Sequence, residues 1–531
     1  MDVRIASPRQ AVSIPIPLGT DKLLLDFSLS NDEALLFVRL YNPHGRFVGE
    51  VSFGYQRLAK RLYYSPARTT LNALAHELVP GDYRLVVDTP LARDLAKGLV
   101  LTLDVQAAGG EEEPPSSRSI PHEELQSEPA FDADGNAVGM DRVFNPERRY
   151  YRGDLHGHTT YSDGDLSEQE AAELLVRRGL EFMAMTEHNA AAFGHRSTWT
   201  LRIPSFELTL ESGHLNVFGL ESSEAMASYW ADEEVLSGAL APLVKRARES
   251  GSVVSLNHPF LKPWHFTAPG VSASWIDTLE IINDPTYPES PPANDRAIAF
   301  LDFLWNRGYR IFGVGGSDAH NRPERPYDGA TLPSVYGDPA TVVLCEGLSG
   351  REILAGLREG RCYVARHVEL DIAIRADGRS VLPGERLTAS PETIDYTVGI
   401  RDFGERLVGR RANDTETDSR TFGPDALADP RYAGPQYAGR LIVSGVCSQV
   451  FGLTPESPLW RTTISGEALL DTVRPGGVQS AWWLRVDLSD ESGHIAAYVN
   501  PVHFGQTNPP ATTIDALIEE FDQIHDQRRA V

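Results

Sequence analysis

Histidine and carboxylate side chains recur at short spacings between residues 150 and 320, and these residue types bind metal ions. His156 and His158 form a His-x-His pair directly after the apolar segment Tyr150–Leu155. Residues i and i+2 of a strand point to the same face, so both imidazoles can reach one ion. Asp163 follows in a turn-like Tyr-Ser-Asp-Gly segment. The spacing therefore indicates a metal site at the end of a strand.

The same residue types follow three further apolar segments whose lengths are typical of strands. Each group lies in the turn directly after its segment: His188 after Phe182–Met185, His258 after Val253–Leu256, and Asp318 with His320 after Ile311–Val314. Glu207 and His214 flank another short apolar segment. Core packing alone does not readily produce this repetition at four strand ends. We therefore predict that all of these residues are metal ligands.

The predicted ligands are imidazoles and carboxylates without thiolates, a set that suits zinc, manganese or iron. They are too many for one tetrahedral ion, so two or three divalent ions with a bridging carboxylate are expected. The three cysteines, Cys345, Cys362 and Cys447, are too few and too far apart for a disulfide framework or a cysteine zinc site.

The section that contains these ligands, residues 148–366, alternates between helical and strand-like segments. Capping-box patterns start two of its helices, one at Ser167 and Glu170 and one at Ser349 and Glu352. The predicted helices cover 167–178, 234–249, 295–306 and 350–358. Repeated helix–strand units with apolar strands indicate an α/β fold with a parallel sheet or barrel. The carboxyl ends of such strands meet on one face, where the ligands would converge.

The flanking sections are rich in short strand patterns separated by turn residues. Residues 1–107 and 367–531 are each predicted to form a β-sandwich-like domain, the second with a terminal helix over 513–528. Residues 108–147 form a predicted linker, because Gly109–Ser117 offers almost nothing to bury.

Composition restricts the partners and the location of the protein. The chain has 531 residues, 41% of them hydrophobic, and a formal net charge of −25, which repels long nucleic acids. No apolar run of about 18 residues is present, and residues 1–20 lack a basic segment followed by an apolar one. A cytoplasmic protein without membrane contact is therefore expected. The oligomeric state stays open.

The ordered set of motifs resembles the polymerase and histidinol phosphatase (PHP) superfamily. The arrangement with flanking β domains is similar to the carbaryl-hydrolase-like branch of that superfamily. The resemblance covers residues 148–366. It is carried by Arg152-Gly153-Asp154-Leu155-His156-Gly157-His158-Thr159, Tyr161-Ser162-Asp163-Gly164, Thr186-Glu187-His188-Asn189, Asn257-His258-Pro259 and Gly316-Ser317-Asp318-Ala319-His320.

The resemblance implies a distorted barrel of seven βα units with three metal positions. The first position would use His156, His158, Glu207 and Asp318, the second Glu207 as a bridge with His214 and His258, and the third Asp163, His188 and His320. The turn before Glu207 departs from the Pro-Gly pattern that is usual in the family. Glu211 therefore stays an alternative for the bridging carboxylate.

The superfamily resemblance also implies hydrolysis of phosphoric esters (EC 3.1), either monoesters or diesters, of a small anionic substrate. A hydroxide generated at the ions would attack phosphorus. A histidine would protonate the departing oxygen, with His188, His214 and His258 as the candidates. Cationic and polar side chains near the motifs are predicted to hold the substrate, namely Arg196, Lys262 and His265.

Two alternatives stay open. The carbaryl-hydrolase resemblance favours hydrolysis of a carbamate, ester or amide, and a mouth with aromatic residues and few cations would support it. A catalytically silent scaffold that binds metal is the second alternative, and a closed coordination site would support it.

Overall fold

The computed structural model describes most of the chain. The described residues are 1–31, 34, 36–53, 59–70, 72–74, 77–89, 92–111, 139–190, 200–221, 239–330, 332–402, 436–473 and 481–529. Most of the predicted linker and part of the helix predicted over 234–249 lie outside these residues.

The N-terminal section folds into two four-stranded antiparallel sheets that share one apolar core. Its elements are β1 (Asp2–Arg4), β2 (Arg9–Ile16), β3 (Lys22–Leu29), β4 (Leu36–Tyr41), β5 (Phe47–Phe53), β6 (Ala59–Tyr64), β7 (Gly81–Asp88), helix α1 (Ala92–Leu95) and β8 (Val100–Ala108). The strand orders are β1-β8-β3-β6 and β2-β7-β4-β5. Alternate residues of paired strands point inward, so that side chains such as Leu25, Val38 and Leu85 fill the space between the sheets.

The central section carries the predicted ligands and mixes helices with strands. Its elements are β9 (Arg149–Asp154), α2 (Glu168–Arg177), β10 (Phe182–Met183), β11 (Leu201–Arg202), β12 (Ser205–Leu210), β13 (Gly213–Phe218), α3 (Ala241–Glu249), β14 (Val253–Leu256), β15 (Thr278–Asn283), α4 (Ser290–Asn306), β16 (Phe312–Gly316), β17 (Ala340–Cys345), α5 (Gly350–Glu359) and β18 (Cys362–Ala365).

Local sequence signals explain the helix boundaries. Ser167 accepts a hydrogen bond from the Glu170 amide, and the Glu170 carboxylate accepts one from the Ser167 amide, so the predicted capping box is formed. At α5 only the Ser349 half forms, because the Glu352 carboxylate accepts from the Glu346 amide instead. Helix α4 begins at Ser290, five residues before the predicted start. Prolines fit the first turn of a helix, where their missing N–H costs no hydrogen bond.

The strands of the central section belong to two sheets. One contains β12-β13-β14-β15-β16, and the other contains β11-β10-β9-β17-β18. Four pairs are parallel (β9/β10, β10/β11, β14/β15 and β15/β16), whereas β12/β13, β13/β14 and β9/β17 are antiparallel. The sheets meet at isolated bridges between His188 and Glu207 and between Gly157 and Ala319. The mixed α/β class is confirmed, but a single barrel of seven βα units is not.

The C-terminal section extends one of these sheets. Its elements are β19 (Glu369–Ala376), β20 (Arg379–Val381), β21 (Arg386–Leu387), β22 (Thr393–Asp402), β23 (Tyr437–Val443), β24 (Val446–Leu453), β25 (Leu459–Ser465), α6 (Gly466–Val473), β26 (Ala481–Ser489), β27 (Ile495–Val499), β28 (Val502–Gly505) and α7 (Ile514–Arg529). Strand β18 pairs with β27, so the sheet continues across residue 366, where a boundary is predicted. Within the described residues, no helix is long and apolar enough to cross a membrane.

Candidate metal centre

The predicted ligands lie where the two central sheets meet. Most of them follow the carboxyl end of a strand, namely His156 and His158 after β9, His188 after β10, His258 after β14, and Asp318 and His320 after β16. Glu207 and His214 come instead from within the antiparallel hairpin β12–β13, where Thr209 pairs with His214. Left-handed backbone at His258 (φ 24°) and Asp318 (φ 49°) turns the chain sharply after β14 and β16.

All nine predicted ligands belong to three groups whose ligand atoms lie within 4.8 Å of one another. The groups are His156, His158 and Asp318; Glu207, His214 and His258; and His158, Asp163, His188 and His320. They match the three positions that the family resemblance implies, with two differences. His158 belongs to two groups, and Glu207 is grouped only with His214 and His258. Their roles as metal ligands stay predictions.

Glu207 lies at the centre of the cluster and is fully buried. Its Oε1 is 3.0 Å from Nδ1 of His214, 3.4 Å from Nε2 of His156 and 3.6 Å from Nε2 of His258. Its Oε2 is 2.8 Å from Nδ1 of His188 and 3.6 Å from Nε2 of His158. One carboxylate thus faces five imidazoles. Glu211, the alternative bridge, is exposed.

Unpartnered atoms show that the cluster fits metal ions. Nε2 of His156, Oε2 of Glu207 and Nδ1 of His258 are buried and form no hydrogen bond within the described residues. Nε2 of His156 lies 3.1 Å from Oδ1 of Asp318 without hydrogen-bond geometry. Buried polar atoms without partners are costly, and a divalent cation between imidazole and carboxylate atoms would remove that cost.

The more exposed of the predicted ligands mark the solvent side of the cluster. The side chains of Asp163, Asp318 and His320 are 21%, 14% and 24% exposed, whereas those of His156 and His158 are fully buried. Solvent and substrate would therefore reach the cluster from this side.

Burial and neighbouring charges shift the pKa values of His188, His320 and His158 in different directions. Burial lowers the pKa of His188, but the carboxylates of Asp163 and Glu207 outweigh it and raise this pKa to about 10. Burial also lowers the pKa of His320, and Asp163 outweighs it to give a pKa of about 9. For His158, burial and the charges of His320 and His188 lower the pKa to about 3. Without metal, His188 and His320 hold protons that an ion must displace.

Three buried carboxylates that we did not predict support the ligands. Glu280, in β15, places Oε1 3.0 Å from Nδ1 of His156, and its Oε2 accepts from the His258 amide. Asp154 accepts backbone hydrogen bonds from residues after β9 and β16 and from Gly337. Glu187 accepts from the backbone and hydroxyl groups of Thr159 and Ser162. In the sequence, each of these residues is a carboxylate inside or beside an apolar strand. Because an unpaired buried charge is costly, such a position indicates that the carboxylate has a partner.

The N-terminal section contacts the ligand loops directly. Nζ of Lys60 donates to the carbonyl of Tyr161 at 2.7 Å, two residues before Asp163. Oγ of Ser52 donates to the carbonyl of His188 at 3.2 Å. Phe37 and Phe47 belong to the same apolar cluster as side chains of β12 and β13. These contacts connect the first sandwich to the metal centre.

The predicted substrate-binding residues are not brought into the cluster by any described contact. Arg196 lies outside the described residues, and Lys262 is exposed. Nδ1 of His265 lies 3.1 Å from the carbonyl of Pro263, within its own loop.

A row of three aromatic side chains lies in the loops that follow neighbouring strands of the central section. Trp264, Tyr287 and Tyr327 lie in the loops after β14, β15 and β16, and two of these strands, β14 and β16, precede His258 and Asp318. Ring centroids are 6.2 Å apart for Trp264 and Tyr287 and 5.3 Å apart for Tyr287 and Tyr327, both edge to face. Burial, followed by the charges of Asp284 and Asp318, raises the pKa of Tyr327. Trp264, at the other end, is 42% exposed.

Comparisons with known proteins found limited similarity, and no protein-family model matches the chain. A 38-residue stretch is 47% identical to the DNA polymerase/3'-5' exonuclease PolX of Bacillus subtilis (strain 168) and covers 7% of each protein, far less than two thirds of that relative. A two-domain protein from Bacteroides vulgatus ATCC 8482, which contains a predicted PHP-like metal-dependent phosphoesterase, aligns over 75% of this chain and 100% of its own, with 13% identity and a TM-score of 0.34. An amidohydrolase from Chromobacterium violaceum aligns over 32% of this chain and 88% of its own, with 11% identity and a TM-score of 0.22. The functional conclusion therefore depends on the geometry of the site.

Proposed function

We propose that this chain is a metal-dependent hydrolase of the PHP superfamily that cleaves phosphoric esters of small molecules. The observation that carries the proposal is the central position of Glu207, which faces five imidazoles from four separate segments of the chain in a buried cluster. Structural zinc sites need only four ligands, so a cluster of nine is more than stability requires. Two or three divalent ions of manganese, zinc or iron match its imidazole and carboxylate atoms.

The three ligand groups would hold the ions, with Glu207 as the bridge between the first and second positions. Bound divalent ions would lower the pKa of a water and neutralise the charge that develops on the substrate oxygens. The protein orients the ligands through buried carboxylates. Glu280 holds the His156 ring and the His258 backbone at the same time. Proton transfer to the departing oxygen is assigned to one of His188, His214 and His258.

The open side of the cluster determines how a substrate enters. Asp163, Asp318 and His320 are the most exposed ligands, so the reacting group would approach them first. The row of Trp264, Tyr287 and Tyr327 lies in the loops after β14, β15 and β16 and would contact the part of the substrate that does not react. Aromatic rings offer such a group both area and a preferred geometry.

Hydrolysis of a carbamate, ester or amide, as in the carbaryl-hydrolase-like branch, is the second candidate. The aromatic row favours it, because it supplies apolar area without charge. Two cations near the motifs are also already paired, Arg322 with Glu170 at 2.7 Å and Arg296 with Asp522. A phosphate ester would then depend on the ions for most of its charge neutralisation.

The test compares three matched aryl substrates on the metal-reconstituted full chain: a phosphomonoester, a phosphodiester and a carbamate. A metal-dependent rate on a phosphate ester that greatly exceeds the carbamate rate supports the first proposal. A faster carbamate rate replaces it with the second. His156→Ala combined with His158→Ala should remove nearly all turnover. The matched control is His494→Ala, an exposed histidine in the turn before β27. Bound metal without any turnover would contradict both proposals.

A further inference from the structure

A cavity lies away from the cluster of predicted ligands, at the amino-terminal side of β16. It has a volume of about 210 Å³ and is bordered by Trp305, Trp483, Arg386, His503 and Thr507 among others. Trp305 precedes β16, whereas Asp318 and His320 follow the carboxyl end of that strand. The cavity and the metal cluster therefore occupy opposite ends of the central sheet.

Strand register places a cation, an imidazole and an indole side by side at this cavity. Arg386 of β21 pairs with His503 of β28, and His503 pairs with Trp483 of β26. Directly paired residues on neighbouring strands project from the same face of a sheet. Nη2 of Arg386 donates to Oγ1 of Thr507 at 2.7 Å, which holds the guanidinium at the cavity.

The guanidinium of Arg386 has no carboxylate partner within the described residues. Burial lowers its pKa, and no acidic group of the described residues opposes that effect. Its neighbour Glu385 is engaged by Arg379. A half-buried cation without a counter-ion is costly, and it is unexpected in a chain with a net charge of −25.

The imidazole of His503 adds a second polar group without adding charge. Burial, followed by the charges of Arg310 and Arg386, lowers the pKa of His503 to about 3, so this ring is neutral. Nε2 of His503 and Nε of Arg386 are both buried without a hydrogen-bond partner among the described residues. Buried polar atoms of this kind are normally satisfied by protein, water or a ligand.

We propose that this cavity binds a small planar oxyanion, such as a carboxylate attached to a flat ring, with its charged oxygens on Arg386 and His503 and its ring beside the indoles. An Arg guanidinium matches a carboxylate or phosphate group through parallel N–H donors. The volume suits a small ring with one attached group, since a cavity of about 150 Å³ accommodates benzene. This site is independent of the proposed hydrolase function.

The experiment is a calorimetric titration of the metal-free full chain with benzoate at constant ionic strength, with benzamide as the neutral isostere. The metal-free protein is used so that benzoate does not bind to ions at the metal centre. Saturable binding of benzoate and at least about tenfold weaker binding of benzamide are expected, because hydrogen bonds to a charged group are stronger than those between neutral groups. Equal affinities, or the absence of saturable benzoate binding, would overturn the proposal.

Variants separate a ligand-binding role from a structural one. Arg386→Met should weaken benzoate binding at least about tenfold while leaving the melting temperature of the ligand-free protein unchanged or higher, because it removes an uncompensated charge. Arg461→Met, an exposed arginine of β25, is the matched control for loss of one charge and should bind benzoate normally. Unchanged benzoate affinity in Arg386→Met, or a large drop in its ligand-free melting temperature, would refute the assignment.

Discussion

Replacement of Glu280 by glutamine tests whether a residue that is not itself a metal ligand sets the affinity of the first metal position. Oε1 of Glu280 lies 3.0 Å from Nδ1 of His156. Its Oε2 accepts from the His258 amide at 3.1 Å and from Nδ2 of Asn283 at 3.0 Å. Every contact requires an acceptor, and the carboxylate is the only common side chain of this shape that offers acceptors on both sides.

Glutamine must present its NH₂ group to one side. If the NH₂ group faces His156, Nδ1 of that ring must act as the acceptor. The ring proton then lies on Nε2, the atom that faces Glu207 and Asp318. Facing His258, the NH₂ would meet two other donors in a buried site. Loss of such a supporting carboxylate typically weakens metal binding by about 10–100-fold, which corresponds to about 1.4–2.8 kcal/mol.

The assay is competition for zinc or manganese against a chromophoric chelator, with metal content per chain measured after gel filtration. Glu280→Gln should lose affinity for one ion and keep the remaining ions. Glu249→Gln, an exposed residue of α3 that pairs only loosely with Lys245 at 3.8 Å, is the control and should bind like the original chain. In a His156→Ala background, Glu280→Gln should have little further effect on that ion, because the two residues act as one unit.

Additive effects of Glu280→Gln and His156→Ala would refute the reasoning. Full metal affinity in Glu280→Gln would refute it as well. Loss confined to the ion held by Asp163, His188 and His320 would show that Glu280 acts on the cluster in another way.

Three further predictions concern the same cluster. Glu207→Gln should lower metal content far more than Glu211→Gln, because Glu207 is buried among five imidazoles and Glu211 is exposed. Elemental analysis measures the metal content of both variants. The reverse order would assign the bridging role to Glu211. Lys60→Met should weaken binding of the ion near Asp163, because Nζ of Lys60 donates to the Tyr161 carbonyl, whereas Lys60→Arg keeps a cationic donor and should retain that binding. Equal zinc affinity in the two variants would show that this contact does not matter. In the metal-free protein, the folded-state pKa values of His188 (about 10) and His320 (about 9) lie above the ordinary value of 6.5. The pairing of both histidines with Asp163 therefore stabilises the folded state fully below about pH 6.5. This stabilisation is lost as the pH rises through 9 to 10. The melting temperature of the metal-free protein should therefore fall over that range, and Asp163→Asn should flatten the fall; identical pH profiles would contradict the assignment.

Short-range patterns were sufficient for several element boundaries and for naming the side chains that the structure brings together. The capping pair of Ser167 and Glu170 and the strand Val253–Leu256 depend on neighbours within a few residues, so the sequence displays them directly. The ligand types after the strands are equally local. The structure brings these side chains together, because the strand ends of two sheets meet at the bridges between His188 and Glu207 and between Gly157 and Ala319.

Long-range contacts explain what the sequence analysis missed. His156 and Glu280 are separated by 124 positions, so nothing in either segment reveals their hydrogen bond. The contact of Lys60 with Tyr161 spans 101 positions. The rings of Trp264, Tyr287 and Tyr327 come from three separate loops, and each one alone is an ordinary loop residue.

The sequence by itself determined which side chains are candidates for binding metal, because the residue type fixes which atoms can bind a metal and the periodicity fixes which of them share a strand end. Tertiary structure decided how the strands divide between two sheets, which carboxylates support the imidazoles, and how the first sandwich contacts the ligand loops. Those outcomes depend on which apolar side chains from distant segments pack together. The apolar cluster that includes both Phe37 and Phe521 is formed by many segments, so no single segment encodes it.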